Sequence, residues 1–110
     1  MELNAASDCL AALGHDTRLA IYRMLVQAGA EGINAGVIGA RLALAPATLS
    51  FHLAHLVRVG LAVSRPEGRF VFYRADYARM NALLGFLTAN CCGGETCQPE
   101  PACCPQGEIA

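Results

Sequence analysis

A mainly α-helical domain with one small β-hairpin is predicted for most of this 110-residue chain, on three observations. Apolar residues recur at helical spacing in successive segments up to Asn90. One stretch, LAVSRPEGRFVFYRAD, has strand composition broken by Pro-Glu-Gly. After Asn90 the composition changes abruptly to NCCGGETCQPEPACCPQGEIA, which has too little apolar surface to offset the entropy of ordering it. Residues 1–90 are therefore expected to form one folded domain, and 91–110 a flexible, Cys-rich tail.

The elements follow in order. Ala5 to Leu13 carries Cys9, Leu10 and Leu13 on a helical face and stops at Gly14. His15-Asp16-Thr17 opens a second helix, with Asp16 as the expected cap and Leu19, Tyr22, Leu25 and Val26 as its buried face. Ala28 to Gly32 reads as a turn. Asn34 caps a short third helix through Leu42, with Val37, Ile38 and Leu42 inward. Ala43 to Ala45 is a tight connection, and Pro46 suits the first position of a fourth helix. That helix sets Leu49, Leu53 and Leu56 on one face, distributes Thr48, Ser50, Phe51, His52 and His55 elsewhere, and ends at Gly60. Strands over Leu61–Arg65 and Arg69–Arg74 are joined by Pro66-Glu67-Gly68. A fifth helix spans Asp76 to about Asn90, carrying Tyr77, Met80, Leu83, Leu84 and Leu87. This order of elements is a winged helix-turn-helix: helices, a helix–turn–helix pair, a two-stranded wing and a last helix.

Charge agrees with a nucleic-acid face on the middle segment. Every basic residue is Arg, and seven of the eight fall between His15 and Arg74, where Asp16, Glu31 and Glu67 leave an excess of +4. The flanking segments are acidic. No apolar run approaches the ~18 residues that span a bilayer. The acidic N-terminus lacks the basic region of a secretory signal. A cytoplasmic setting is expected, where thiols stay reduced and clustered Cys read as metal-binding or redox-active.

GHDTRLAIYRML in the second helix, PATLSFHLAHLVRVGLA through the fourth and RPEGRFVFYR in the hairpin resemble the ArsR/SmtB transcriptional repressors, over about residues 5 to 90. The resemblance implies that the fourth helix is the recognition helix. Thr48, Ser50, Phe51, His52 and His55 are its candidates for DNA contact, Phe51 against a thymine methyl. Family members often carry Arg at the position of Phe51, in an SRHL-like run; SFHL here lacks that guanine or phosphate contact. For His52 a partly buried structural role is the competing reading. Arg65 and Arg69 flank the wing and are candidates for phosphate contact, opposed by Glu67; a merely solvated hairpin is the alternative. One small helix-turn-helix contacts few phosphates, so a homodimer on operator double-stranded DNA is expected, with the first and last helices as its interface.

The tail suggests what is sensed. A family metal site at the start of the third helix needs cysteines, and Gly32 to Val37 has none. A family site on the last helix uses carboxylates and imidazoles, and that helix has no His. Cys91, Cys92 and Cys97 remain, with Cys103 and Cys104 as alternates. Three thiolates suit a soft trivalent ion, As(III) or Sb(III), and Gly93-Gly94 allows the turns that converging sulfurs require. Some arsenical-responsive family members carry a similar arrangement after the last helix, which implies a metalloid-responsive repressor. The same fold sensing Cd(II), Zn(II), Cu(I) or thiol oxidation, through a Cys92–Cys97 disulfide, is the alternative. A thiol-based metal chaperone is a rival of another class. An enzyme is not expected, because no His, Lys or Arg follows Arg79 to activate a thiolate. Cys9 reads as a small buried hydrophobe.

Overall fold

The computed structural model describes residues 1–90; the five tail cysteines, Cys91, Cys92, Cys97, Cys103 and Cys104, lie outside them. The helices are α1 (Leu3–Leu13), α2 (Asp16–Ala28), α3 (Ala35–Leu42), α4 (Pro46–Arg58) and α5 (Tyr77–Thr88), and the strands are β1 (Ile33–Asn34), β2 (Ala62–Glu67) and β3 (Phe70–Ala75). The strands form one antiparallel sheet in the order β1-β3-β2. Among the described residues, no single helix is long and apolar enough to cross a membrane.

The core gathers one stripe from each helix. Ala6, Cys9 and Ala12 of α1, Ile21, Tyr22 and Leu25 of α2, Ile38 of α3, Leu49, Leu53 and Leu56 of α4 and Leu83 of α5 are all buried, with Leu61, Ala62 and Ala75 from the wing's base. Cys9 is the expected small hydrophobe, fully enclosed with its Sγ 3.5 Å from the Val59 carbonyl oxygen. Leu10 and Leu19, expected inside, are 44% exposed, as Ala12 and Ile21 take the inward positions instead. Val37 is likewise 40% exposed while Ile38 carries the burial of α3.

Side-chain caps open three of the five α-helices. Asn34 accepts from the Gly36 amide at 2.6 Å, as expected, and Asp76 Oδ1 accepts from the Arg79 amide at 3.0 Å. For α2 the cap is His15 rather than Asp16: its Nδ1 accepts from the Thr17 amide at 3.1 Å. Asp16 instead occupies the first helical position, where its charge favours the positive end of the helix dipole. Tyr77 Oη donates to the Val26 carbonyl at 2.7 Å and ties the start of α5 to the end of α2.

The wing departs from its expected register. Its loop is Gly68-Arg69, not Pro66-Glu67-Gly68; Pro66 pairs with Val71 and Glu67 with Phe70 inside the ladder. Gly68 has φ +65° while Arg69 keeps an ordinary negative φ, the pattern of a two-residue hairpin loop with Gly first. Pro66 is tolerated because β2 is an edge strand and can forgo an amide donor. The two-residue strand β1 has no periodicity to announce it. It exists because Ile33 pairs with Tyr73 and Asn34 with Phe72. Gly32 permits this approach: its φ is +80°, and a Cβ there would sit 2.6 Å from the Tyr73 carbonyl oxygen.

Candidate nucleic-acid interface

The α3–α4 pair is the helix-turn-helix. The two helices meet at a bend of 117°, within the usual range for this motif. The turn is closed by Ala43 in a left-handed conformation, φ 54°, and by the Leu44 amide donating to the Gly39 carbonyl at 3.0 Å. Pro46 then begins α4 without a side-chain cap. The helix buries Leu49, Leu53 and Leu56 and leaves its opposite side in solvent.

Four of the candidates on α4 lie off the buried face, at different angles. Phe51 is 66% exposed and points most directly outward. Ser50 and Thr48 are exposed on its two flanks, and His55 is half-buried on the Thr48 side. His55 also lines a cavity of about 360 Å³ between α1, α4 and α5, with Asp8, Arg58 and Arg79. Its pKa is pushed below the ordinary value, first by burial and then by the Arg18 and Arg58 charges.

His52 belongs to the packing between α2 and α4 and not to the outer face. It is 7% exposed, and its Nδ1 lies 3.1 Å from Arg18 Nη1. A guanidinium only donates, so Nδ1 is the unprotonated nitrogen and the proton sits on Nε2. Arg18 is itself anchored by Nε donating to the Ala12 carbonyl at 2.8 Å. Burial, then the His15 and Arg18 charges, hold the His52 pKa below its ordinary value, so the ring is neutral at pH 7. The structural reading of His52 thus replaces direct DNA contact, because its ring has almost no surface left to offer.

On the wing, Arg69 occupies the loop tip and is exposed. Arg65 is less free. Its guanidinium lies 5.0 Å from the centre of the Phe72 ring, its cross-strand neighbour, and Nη1 donates to the Glu31 carbonyl at 3.3 Å. Its Nε is 3.6 Å from Glu67 Oε2, an exposed pair of small energetic value. Three outward residues escaped the sequence reading: Arg58 at the end of α4, Phe70 beside the wing tip and Arg41 at the end of α3, all exposed. A helical-wheel projection of α4 would have found Arg58.

Comparisons with known proteins agree with this geometry. A family model described as a helix-turn-helix domain matches residues 13–65. The transcriptional activator HlyU of Vibrio cholerae is 35% identical over 89 residues, covering 79% of this chain and 80% of the relative. A solved structure of an ArsR-like transcriptional regulator from Rhodococcus sp. RHA1 is 30% identical with TM-score 0.68, covering 76% of each chain.

The chain belongs to the ArsR-like family of winged helix-turn-helix transcriptional regulators.

Solved HlyU from Vibrio cholerae matches at TM-score 0.65 and 34% identity, covering 84% of this chain and 99% of that one. The same protein described as reduced HlyU matches at TM-score 0.64 and 32% identity over 81% and 90% of the two chains. A homodimeric winged helix-turn-helix DNA-binding domain from Mycobacterium bovis matches at TM-score 0.63 and 26% identity, over 88% and 90%. These ArsR-like relatives are regulators of transcription, not enzymes. In this family setting, α4 is the recognition helix and the β2–β3 hairpin the wing.

Proposed function

We propose that this regulator is a homodimeric repressor that holds operator DNA when empty and releases it on capturing As(III), Sb(III) or a trivalent organoarsenical. The carrying observation is the solvent-facing side of α4, presented by the 117° bend with α3. Dimerisation is supported by α1 and α5, which pack together yet leave Leu3 69%, Leu10 44%, Leu84 53% and Leu87 52% exposed. Two copies related by a two-fold axis would set their recognition helices about one DNA turn apart.

The sensing half of the proposal rests on the tail sequence. Among the described residues, no three His, Cys, Asp or Glu side chains converge as a ligand set. In the sequence Cys91 follows the end of α5, the helix that carries Leu84 and Leu87, by three residues, and Cys92 and Cys97 come next among the cysteines. Thiolates closing on a soft ion there would act on the dimer face and, through it, on the separation of the recognition helices. Useful release needs about 100-fold weaker DNA binding, roughly 2.7 kcal/mol of coupling. The ion must favour the DNA-incompetent state by that amount. Single Cys91→Ser, Cys92→Ser and Cys97→Ser proteins test this in a fluorescence-anisotropy displacement assay with arsenite. Each is expected to stay on DNA, and release like that of the intact protein would refute the ligand assignment.

A second reading has one observation behind it: a relative of 32% identity is described in a reduced form. Oxidation of the tail thiols, such as a Cys92–Cys97 disulfide, would then be the signal. Release by peroxide but not by arsenite under reducing conditions would select it.

A further inference from the structure

We infer that Phe51 determines DNA specificity by reading a thymine methyl group, and that the protein holds its ring in place for that purpose. The inference rests on the DNA-binding reading above.

The outward line of α4 runs through Ala47, Phe51, Ala54 and Arg58, at i, i+4, i+7 and i+11, and all four are exposed. Before Arg58 this line carries no hydrogen-bonding side-chain group. Ser50 and Thr48 on the flanks can bond to any base pair and so discriminate weakly. In the major groove, the one apolar feature that separates base pairs is the C5-methyl of thymine. A helix whose central outward residue is Phe between two Ala offers that methyl an apolar partner at its centre, with Ser50 on one side, Thr48 and His55 on the other and Arg58 at its end.

The ring is also braced from behind. Phe51 meets His52 edge-on, with ring centres 5.4 Å apart and planes at 68°. His52 is fixed in turn by Arg18 at 3.1 Å and by the His15 ring at 4.9 Å, and Arg18 is fixed to the end of α1. A large apolar side chain two-thirds exposed adds little to folding, since most of its surface stays in water. Held by a buried imidazole, it loses less side-chain entropy on docking than a free one. The buried His52 thus contributes to recognition without touching DNA.

The test uses the full-length protein, reduced and free of thiophilic ions, with duplexes it enriches from a random-sequence pool. Each thymine is replaced singly by uracil, which removes the methyl and keeps the base pairing. Uracil at one position per half-site is expected to lower affinity about four-fold, the worth of one buried methyl. Phe51→Ala removes the ring from both subunits at once, so it should weaken the thymine duplex by about the square of that factor, roughly 16-fold, and no longer distinguish uracil from thymine. If no thymine position responds, or if Phe51→Ala keeps the discrimination, the inference is overturned while DNA binding stands. If no duplex is enriched at all, the DNA-binding reading fails, and the inference with it.

Discussion

Tyr22 is the residue whose chemistry fits its surroundings least. Its hydroxyl is buried without a hydrogen-bond partner among the described residues, and burial, then the Asp76 charge, push its pKa up to about 12. An orphaned buried hydroxyl costs about 1–3 kcal/mol, whereas Phe of the same shape would leave nothing unpaired. Tyr22→Phe should therefore raise stability by about 1 kcal/mol in urea unfolding, and a loss of that size would show that the hydroxyl has a partner. His52 gives a pH dependence with a definite sign. Its folded pKa lies below the unfolded value, so the unfolded chain binds the extra proton first. Stability should be full above about pH 6.5, the ordinary imidazole value, and fall as pH drops towards the folded pKa. His52→Asn, whose Oδ1 can take the place of Nδ1 as acceptor for Arg18 but cannot titrate, should flatten that decline; the remainder belongs to His55, which is shifted in the same direction. An unchanged slope in His52→Asn would place the titration elsewhere. In SFHL as a string, the buried role of His52 stands only as an alternative to DNA contact. The helical spacing sets His52 off the Leu49, Leu53 and Leu56 face, and the Arg18 that fixes it arrives from another helix.

At the scale of elements, boundaries set by local chemistry were legible and those set by pairing were not. Asn34, Pro46 and Gly60 mark the limits of α3 and α4 in the sequence as they do in the structure, because caps and prolines act within one turn. The strand β1 was invisible, since two residues form no pattern and only β3 makes them a strand. The wing loop was misplaced because Pro-Glu-Gly has turn composition, while the register set by the β2–β3 pairs puts the loop at Gly68-Arg69. Two glycine-type positions follow with opposite signs. Gly32→Ala would drive a Cβ against the Tyr73 carbonyl and should cost about 2 kcal/mol or more. Ala43 already holds a left-handed backbone with a Cβ, so Ala43→Gly should stabilise the helix-turn-helix by about 0.5–1 kcal/mol. Thermal unfolding of both variants checks the pair, and a destabilised Ala43→Gly protein would show that Ala43 carries no strain.

For the whole molecule, the winged helix-turn-helix fold is legible in the sequence, because amphipathic periods and a strand-like hairpin survive without coordinates. The sequence could not say which leucines of α1 and α5 would be left uncovered. Leu10 and Leu84 look like core in a helical repeat, and only packing shows that Ala12 and Leu83 take those places. If these uncovered leucines face a second copy, Leu84→Glu together with Leu87→Glu should yield monomers in sedimentation velocity with helix content intact. A persistent dimer would move the interface elsewhere. The most direct measurement compares arsenite titrations of the intact protein and of a form ending at Asn90, each bound to labelled operator duplex and followed by anisotropy. The intact form should leave DNA with about 100-fold loss of affinity, while the shortened form stays bound at every concentration. Equal release from both would contradict the assignment of sensing to the tail thiols.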